Sequence, residues 1–143
     1  MKQLTILIVE DDLDDLALML RMLEQHSSTR PVVAMDGVEA LNFLLDEFKE
    51  PPSLVVLDLK LPKLPGLAVL RRIRAEKRTR HLPVIVLTGS QEERDLIEAY
   101  RQGAQRCVQK PLLPSVMAEC LQQFRLEWLL PGPLSLPSPS VAA

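Results

Sequence analysis

The sequence predicts an α/β doubly wound domain built on a five-stranded parallel sheet. Three observations carry that expectation. Leu4-Thr5-Ile6-Leu7-Ile8-Val9, Leu54-Val55-Val56-Leu57-Asp58 and Pro83-Val84-Ile85-Val86-Leu87 are apolar runs of strand length with almost no polar interruption, as suits strands buried on both faces. Amphipathic segments of helix length separate the runs, and parallel neighbours need such crossovers. Each run also stops abruptly at polar residues: Glu10-Asp11-Asp12 after the first, Asp58 at the end of the second, Thr88 after the third. In an open α/β sheet those ends share the carboxyl edge, where ligands bind.

The elements follow in order. After the first strand, apolar residues recur as Leu13, Leu16, Ala17, Leu20 and Leu23, which predicts a helix over residues 13–25 with Asp14 and Asp15 favouring its positive end. Residues 27–31 read as a turn and 31–34 as a short second strand. Asp36 caps a second helix carrying Ala40, Leu41, Leu44 and Leu45, which residues 50–53 end. Pro62 and Pro65 confine the segment after Asp58 to a loop. The third helix, residues 67–77, points Val69, Leu70 and Ile73 at the core, and the basic cluster Arg71, Arg72, Arg74, Lys77, Arg78 and Arg80 reads as a solvated face. Ser90 with Glu93 forms a capping box for a fourth helix that Gly103 terminates. A weaker fifth strand, 104–109, ends at Lys110-Pro111, and a fifth helix spans 113–130.

With 143 residues, 47% of them hydrophobic and 25% charged, the chain suits one folded domain with a real core. Its 17 basic and 19 acidic residues give a net charge of -2, which argues against a nucleic-acid footprint. The N-terminal run is too short for a secretory signal, and Cys107 and Cys120 lack the spacing of a zinc site or disulfide framework. The expectation is a cytoplasmic protein with reduced thiols and no membrane association. His26 and His81 lie away from the strand ends and read as surface residues.

The strand ends gather Glu10, Asp11, Asp58, Thr88 and Lys110 at one edge. Two carboxylates about 4 Å apart repel by roughly 4 kcal/mol at an effective dielectric near 20, so a third favours binding of protons or a cation. A few oxygen ligands with room for water suit Mg²⁺. A carboxylate beside such an ion could attack a phosphoryl group and become an acyl phosphate.

These residues also carry a resemblance. Val9-Glu10-Asp11-Asp12, Leu57-Asp58 followed by Pro62 and Gly66, Leu87-Thr88-Gly89 and Lys110-Pro111 resemble, in order and separation, the receiver domain of two-component response regulators, over residues 2–128. The resemblance implies a flavodoxin-like fold with strand order 2-1-3-4-5. It implies that Asp58 accepts a phosphoryl group from a sensor histidine kinase, that Asp11 and Asp58 bind Mg²⁺ directly, Glu10 through water and Lys60 through its backbone carbonyl. Lys110, followed by a cis bond to Pro111, would pair with the phosphate and Thr88 would report it. Self-phosphorylation and autodephosphorylation are expected, without the turnover of an ordinary enzyme. Asp12 reads as a helix cap first and a ligand second. Receivers commonly carry an aromatic three residues before the lysine, and Cys107 stands there, which puts the usual threonine–aromatic switch in question; Tyr100 is the nearest candidate substitute, with ordinary packing its plainer reading.

The fifth helix holds more apolar residues than one core-facing stripe needs, among them Phe124, Leu126, Trp128 and Leu129. Leu18, Met19 and Met22 add spare apolar residues on the first helix. The expectation is a homodimer through helix five, with Phe124, Trp128 and Leu129 at the interface. That segment, with Leu87-Thr88-Gly89-Ser90 and Tyr100-x-x-Gly103-Ala104, is similar to single-domain regulators paired with bacterial phytochromes. The receiver would span 1–130, and 131–143, rich in proline and serine, would be a disordered tail or a dimer arm. No further domain being apparent, output would pass by protein contact or phosphorelay to a downstream partner. A flavodoxin-type carrier or dinucleotide-binding enzyme would need a glycine- or hydroxyl-rich loop where Glu10-Asp11-Asp12 stands, and a haloacid-type phosphatase an acid where Lys60 stands. The remaining alternative is a receiver-like module that binds partners without phosphorylation.

Overall fold

In the computed structural model, residues 3–26, 28–89 and 93–129 are described, with the side chains of 93 and 124–129 left aside. Ten elements alternate: β1 (Leu4–Val9), α1 (Leu13–Glu24), β2 (Thr29–Ala34), α2 (Gly37–Leu44), β3 (Leu54–Asp58), α3 (Gly66–Ala75), β4 (Val84–Thr88), α4 (Glu93–Arg101), β5 (Arg106–Gln109) and α5 (Pro114–Leu129). The sheet order is β2-β1-β3-β4-β5 and every pairing is parallel.

Two apolar layers explain why the strands carry unbroken hydrophobic runs. Leu7, Val9, Val55, Leu57, Val84 and Val86 face Ala40 and Leu44 of α2, Val69, Leu70 and Ile73 of α3, and Ala99 of α4. The intervening residues Ile6, Ile8, Leu54, Val56, Ile85 and Leu87 face Leu16, Met19 and Leu23 of α1 and Met117, Cys120 and Leu121 of α5. Side chains alternate across a strand, so a strand covered on both faces must be apolar at every position. Every residue of β3 and β4 is buried.

Several expectations shift. β2 begins at Thr29, two residues before the expected start, and Pro31 lies inside it. The edge position permits this, because a proline there need not donate to a second neighbour. In α1 the buried residues are Leu16, Met19 and Leu23, whereas Leu13 is 70% exposed, so Met19 belongs to the core rather than to a spare patch. β5 is four residues long and only partly buried, and residues 104 and 105 lie ahead of it. Ser90 of the expected capping box and residues 130–143 lie outside those described.

Candidate functional site

Glu10, Asp58, Thr88 and Lys110 meet at the carboxyl edge because β1, β3, β4 and β5 all terminate there. Glu10 follows β1 and its amide donates to the Ala34 carbonyl, 3.0 Å away, which extends the pairing with β2 by one residue. Asp58 closes β3 in register with Leu87. Lys110 follows β5, and its amide donates to the Thr88 carbonyl at 2.9 Å. The Lys110-Pro111 bond is cis, as the resemblance implied. Gly66 opens α3 directly behind Asp58, where a Cβ would collide with the Asp58 carbonyl; only glycine lets the loop close this tightly.

One ammonium serves three acids. Lys110 Nζ stands 2.8 Å from Glu10 Oε1, 2.9 Å from Asp58 Oδ2 and 3.1 Å from Asp15 Oδ2. Asp58 Oδ1 accepts the Lys60 amide at 3.1 Å, and Glu10 Oε2 accepts the Asp12 amide at 3.2 Å. Glu10 is fully buried and Asp58 is 3% exposed. Burial first, then the hydrogen bond and charge of Asp58, push the Glu10 carboxyl up to about 7, although Lys110 pulls it down. Burial acts to lower the pKa of Lys110, but hydrogen bonds to Glu10, Asp58 and Asp15 outweigh it and hold the ammonium above its usual range.

Glu10, Asp11 and Asp58 each offer a carboxylate oxygen, and those oxygens lie within 4.8 Å of one another. Three hard donors carrying more negative charge than their single lysine neutralises fit a hard divalent cation such as Mg²⁺. Asp12 takes the capping role: its side chain accepts the amides of Asp14 and Asp15 at the start of α1. Thr88, 2% exposed, ends β4 opposite Gln109 of β5.

Cys107 is half-buried against the core, and burial raises its thiol to about 11, which suits a small hydrophobe rather than a nucleophile. Tyr100 does more than pack. Its hydroxyl accepts the Cys107 amide at 3.2 Å and so ties α4 to the outer side of an edge strand. Asp15 pairs with Lys110 from the first turn of α1, a partnership across 95 positions that the sequence does not announce. The sequence reading also mistook Arg74 and Arg78 for solvated residues. Arg74 donates to the carbonyls of Arg80, Leu82 and Gly103 and to Gln105, and Arg78 to those of Leu44 and Lys49. Arg71, Arg72, Lys77 and Arg80 are exposed as expected. The interface assigned to Phe124, Trp128 and Leu129 falls on side chains outside those described. Among the described residues no helix is long and apolar enough to cross a membrane.

Fold and site together define a response regulator receiver domain: residues 6–122 match that family, and the chain belongs to it. The chain is 35% identical to the probable methanogenesis regulatory protein FilR2 of Methanothrix harundinacea, over 90% of this chain and 88% of the relative. The bacteriophytochrome response regulator AtBRR superposes with a TM-score of 0.76 at 36% identity, covering 95% of this chain and 100% of that one. The receiver domain of the Pseudomonas aeruginosa sensor histidine kinase PA1611, with a magnesium ion coordinated in its active-site cleft, superposes with a TM-score of 0.76 at 26% identity, covering 85% and 97%.

Proposed function

We propose that this chain receives a phosphoryl group on Asp58 from a phosphohistidine of a sensor histidine kinase, with Mg²⁺ bound beside the acceptor, and passes the signal on by protein contact or onward phosphotransfer. The observation that carries this reading is the convergence of Glu10, Asp11 and Asp58 oxygens within 4.8 Å next to the lysine that contacts Asp58. An Asp58 oxygen attacks phosphorus in line; the P–N bond breaks and the imidazole leaves with its electron pair. Asp11 and Asp58 would hold Mg²⁺ directly, the Lys60 carbonyl would add a ligand and Glu10 would act through water. When bound, the ion supplies positive charge to the transferring oxygens. Lys110 moves from the carboxylate to a phosphoryl oxygen, and the Thr88 hydroxyl donates to another. Tyr100, anchored on the Cys107 amide, couples that change to α4 and β5 in place of the usual aromatic.

The likeness to AtBRR supports a bacteriophytochrome as the kinase. Pairing through α5, with Phe124, Trp128 and Leu129 buried between two copies, completes the proposal; a monomer mass in light scattering at micromolar concentration, with and without phosphorylation, would overturn that part. The central test is intact mass after incubation with Mg²⁺ and a small phosphodonor. The parent should gain one phosphoryl group and Asp58→Asn none. No gain in the parent would favour phosphorylation-independent partner binding, and gain in both would move the acceptor elsewhere.

A further inference from the structure

Lys110 holds three acids, but only two of them belong to the converging trio. Its ammonium lies 2.8 Å from Glu10, 2.9 Å from Asp58 and 3.1 Å from Asp15. Glu10 and Asp58 are among the three acids whose oxygens converge, and Asp15 is not. The Asp15 side chain is 32% exposed, against 0% for Glu10 and 5% for Asp58, so it approaches the ammonium from the solvent side. Its place is fixed by the helix cap, because Asp12 Oδ1 accepts the Asp15 amide at 3.0 Å. Asp15 and Lys110 line a crevice with Leu18, Met19 and Pro111, whose apolar surfaces thin the water around the pair.

We infer that Asp15 is a positioning residue for Lys110: from the first turn of α1 it takes a share of the ammonium from the solvent side and so loosens the ammonium's hold on Glu10 and Asp58. The ammonium donates hydrogen bonds to Asp15 and Asp58 and stands against Glu10 as an ion pair, so its hold is divided among three acids. Remove the outer acid and the ammonium is held by Glu10 and Asp58 alone, the groups that a cation must win from it. The inference rests on the proposed cation site, and its test separates the two.

The experiment is calorimetric Mg²⁺ titration of the whole chain, as parent, Asp15→Asn and Asp15→Glu, and of Asp15→Asn in a Lys110→Met background. The Kd for Mg²⁺ should rise about fivefold or more in Asp15→Asn, and Asp15→Glu should restore it to within about twofold. In the Lys110→Met background the same change should move Kd by less than about twofold, because the residue through which Asp15 acts is gone. An equal rise in both backgrounds would make Asp15 a general surface charge and overturn the positioning role. An unchanged Kd in Asp15→Asn would overturn it too, while leaving the cation site standing. A parent that binds no Mg²⁺ would overturn the cation site and this inference together.

Discussion

Arg74 at the amino edge of the sheet and Lys110 at the carboxyl edge are both partly buried cations, and their partners differ in kind. Arg74 reaches neutral acceptors: the Gly103 carbonyl at 2.7 and 3.1 Å, Leu82 at 2.7 Å, Arg80 at 3.0 Å and the Gln105 side chain at 3.0 Å. The same Gln105 oxygen accepts the Val84 amide at 2.8 Å, so one guanidinium fastens α3, the approach to β4 and the α4–β5 turn. Lys110 instead faces three carboxylates, with Asp11 close by. A cation among carbonyls completes a hydrogen-bond set and leaves no demand for another ion. A cation outnumbered by acids leaves negative charge in place, and the Glu10 carboxyl is raised first by its burial and then by Asp58 beside it. The fold thus puts a closed polar network at one edge and an open one at the other.

The largest effect that tests this contrast is expected at the closed edge. Arg74→Ala would strand the Gly103 and Leu82 carbonyls and cost about 3 kcal/mol, read as a lower urea midpoint. Arg74→Lys should recover little of it, since an ammonium cannot span the same fork of acceptors. Neither Mg²⁺ nor pH between 5 and 8 should restore stability. A loss below about 1 kcal/mol would show that the network is replaceable by water.

The open edge should instead respond to pH. Glu10 sits at about 7 when folded against an ordinary 4.5, so its stabilising contribution is fully present below 4.5 and is lost as pH rises through 7. Other groups titrate in the same window, so the useful quantity is parent minus Glu10→Gln. In the metal-free protein that difference should shift by on the order of 2 kcal/mol between pH 4.5 and 8, the parent losing stability relative to the variant as pH rises. A difference independent of pH would mean that Lys110 fully neutralises Glu10, and the contrast between the edges would collapse. Mg²⁺ should favour the parent over Glu10→Gln at the higher pH.

How much of this was legible depends on whether a feature is written locally. β3 and β4 were readable because burial on both faces leaves an unbroken apolar run, and Glu10, Asp58 and Lys110 because each breaks or follows a run at its end. The phase of α1 was not, since Leu13 and Met19 are equally apolar and only the packed helix shows which is buried. Arg74 was opaque for a different reason. Its acceptors are mostly backbone carbonyls, which every residue type supplies, so nothing in residues 80, 82 and 103 announces them. Asp15 and Lys110 are 95 positions apart, and the acid's more obvious duty at the helix N-terminus hid the second.

The smallest expected effect sits between the two edges, on Tyr100. β5 is an edge strand, and the Cys107 amide is donated to the Tyr100 hydroxyl instead of to a further strand. Tyr100→Phe keeps the ring and removes that acceptor, leaving a partly buried amide to find water. The cost to stability should be about 1 kcal/mol, a third of that at Arg74. Hydrogen exchange discriminates better than the midpoint: the Cys107 amide should exchange about tenfold faster or more, while the amides of β3 keep their protection. If Tyr100 also couples the phosphorylated site to α4, phosphorylation of the parent should alter exchange at Cys107, and Tyr100→Phe should erase that response without lowering the mass gain at Asp58. A Cys107 amide that exchanges at the parent rate in Tyr100→Phe would break the link, because the hydroxyl would then carry neither stability nor signal across the α4–β5 contact.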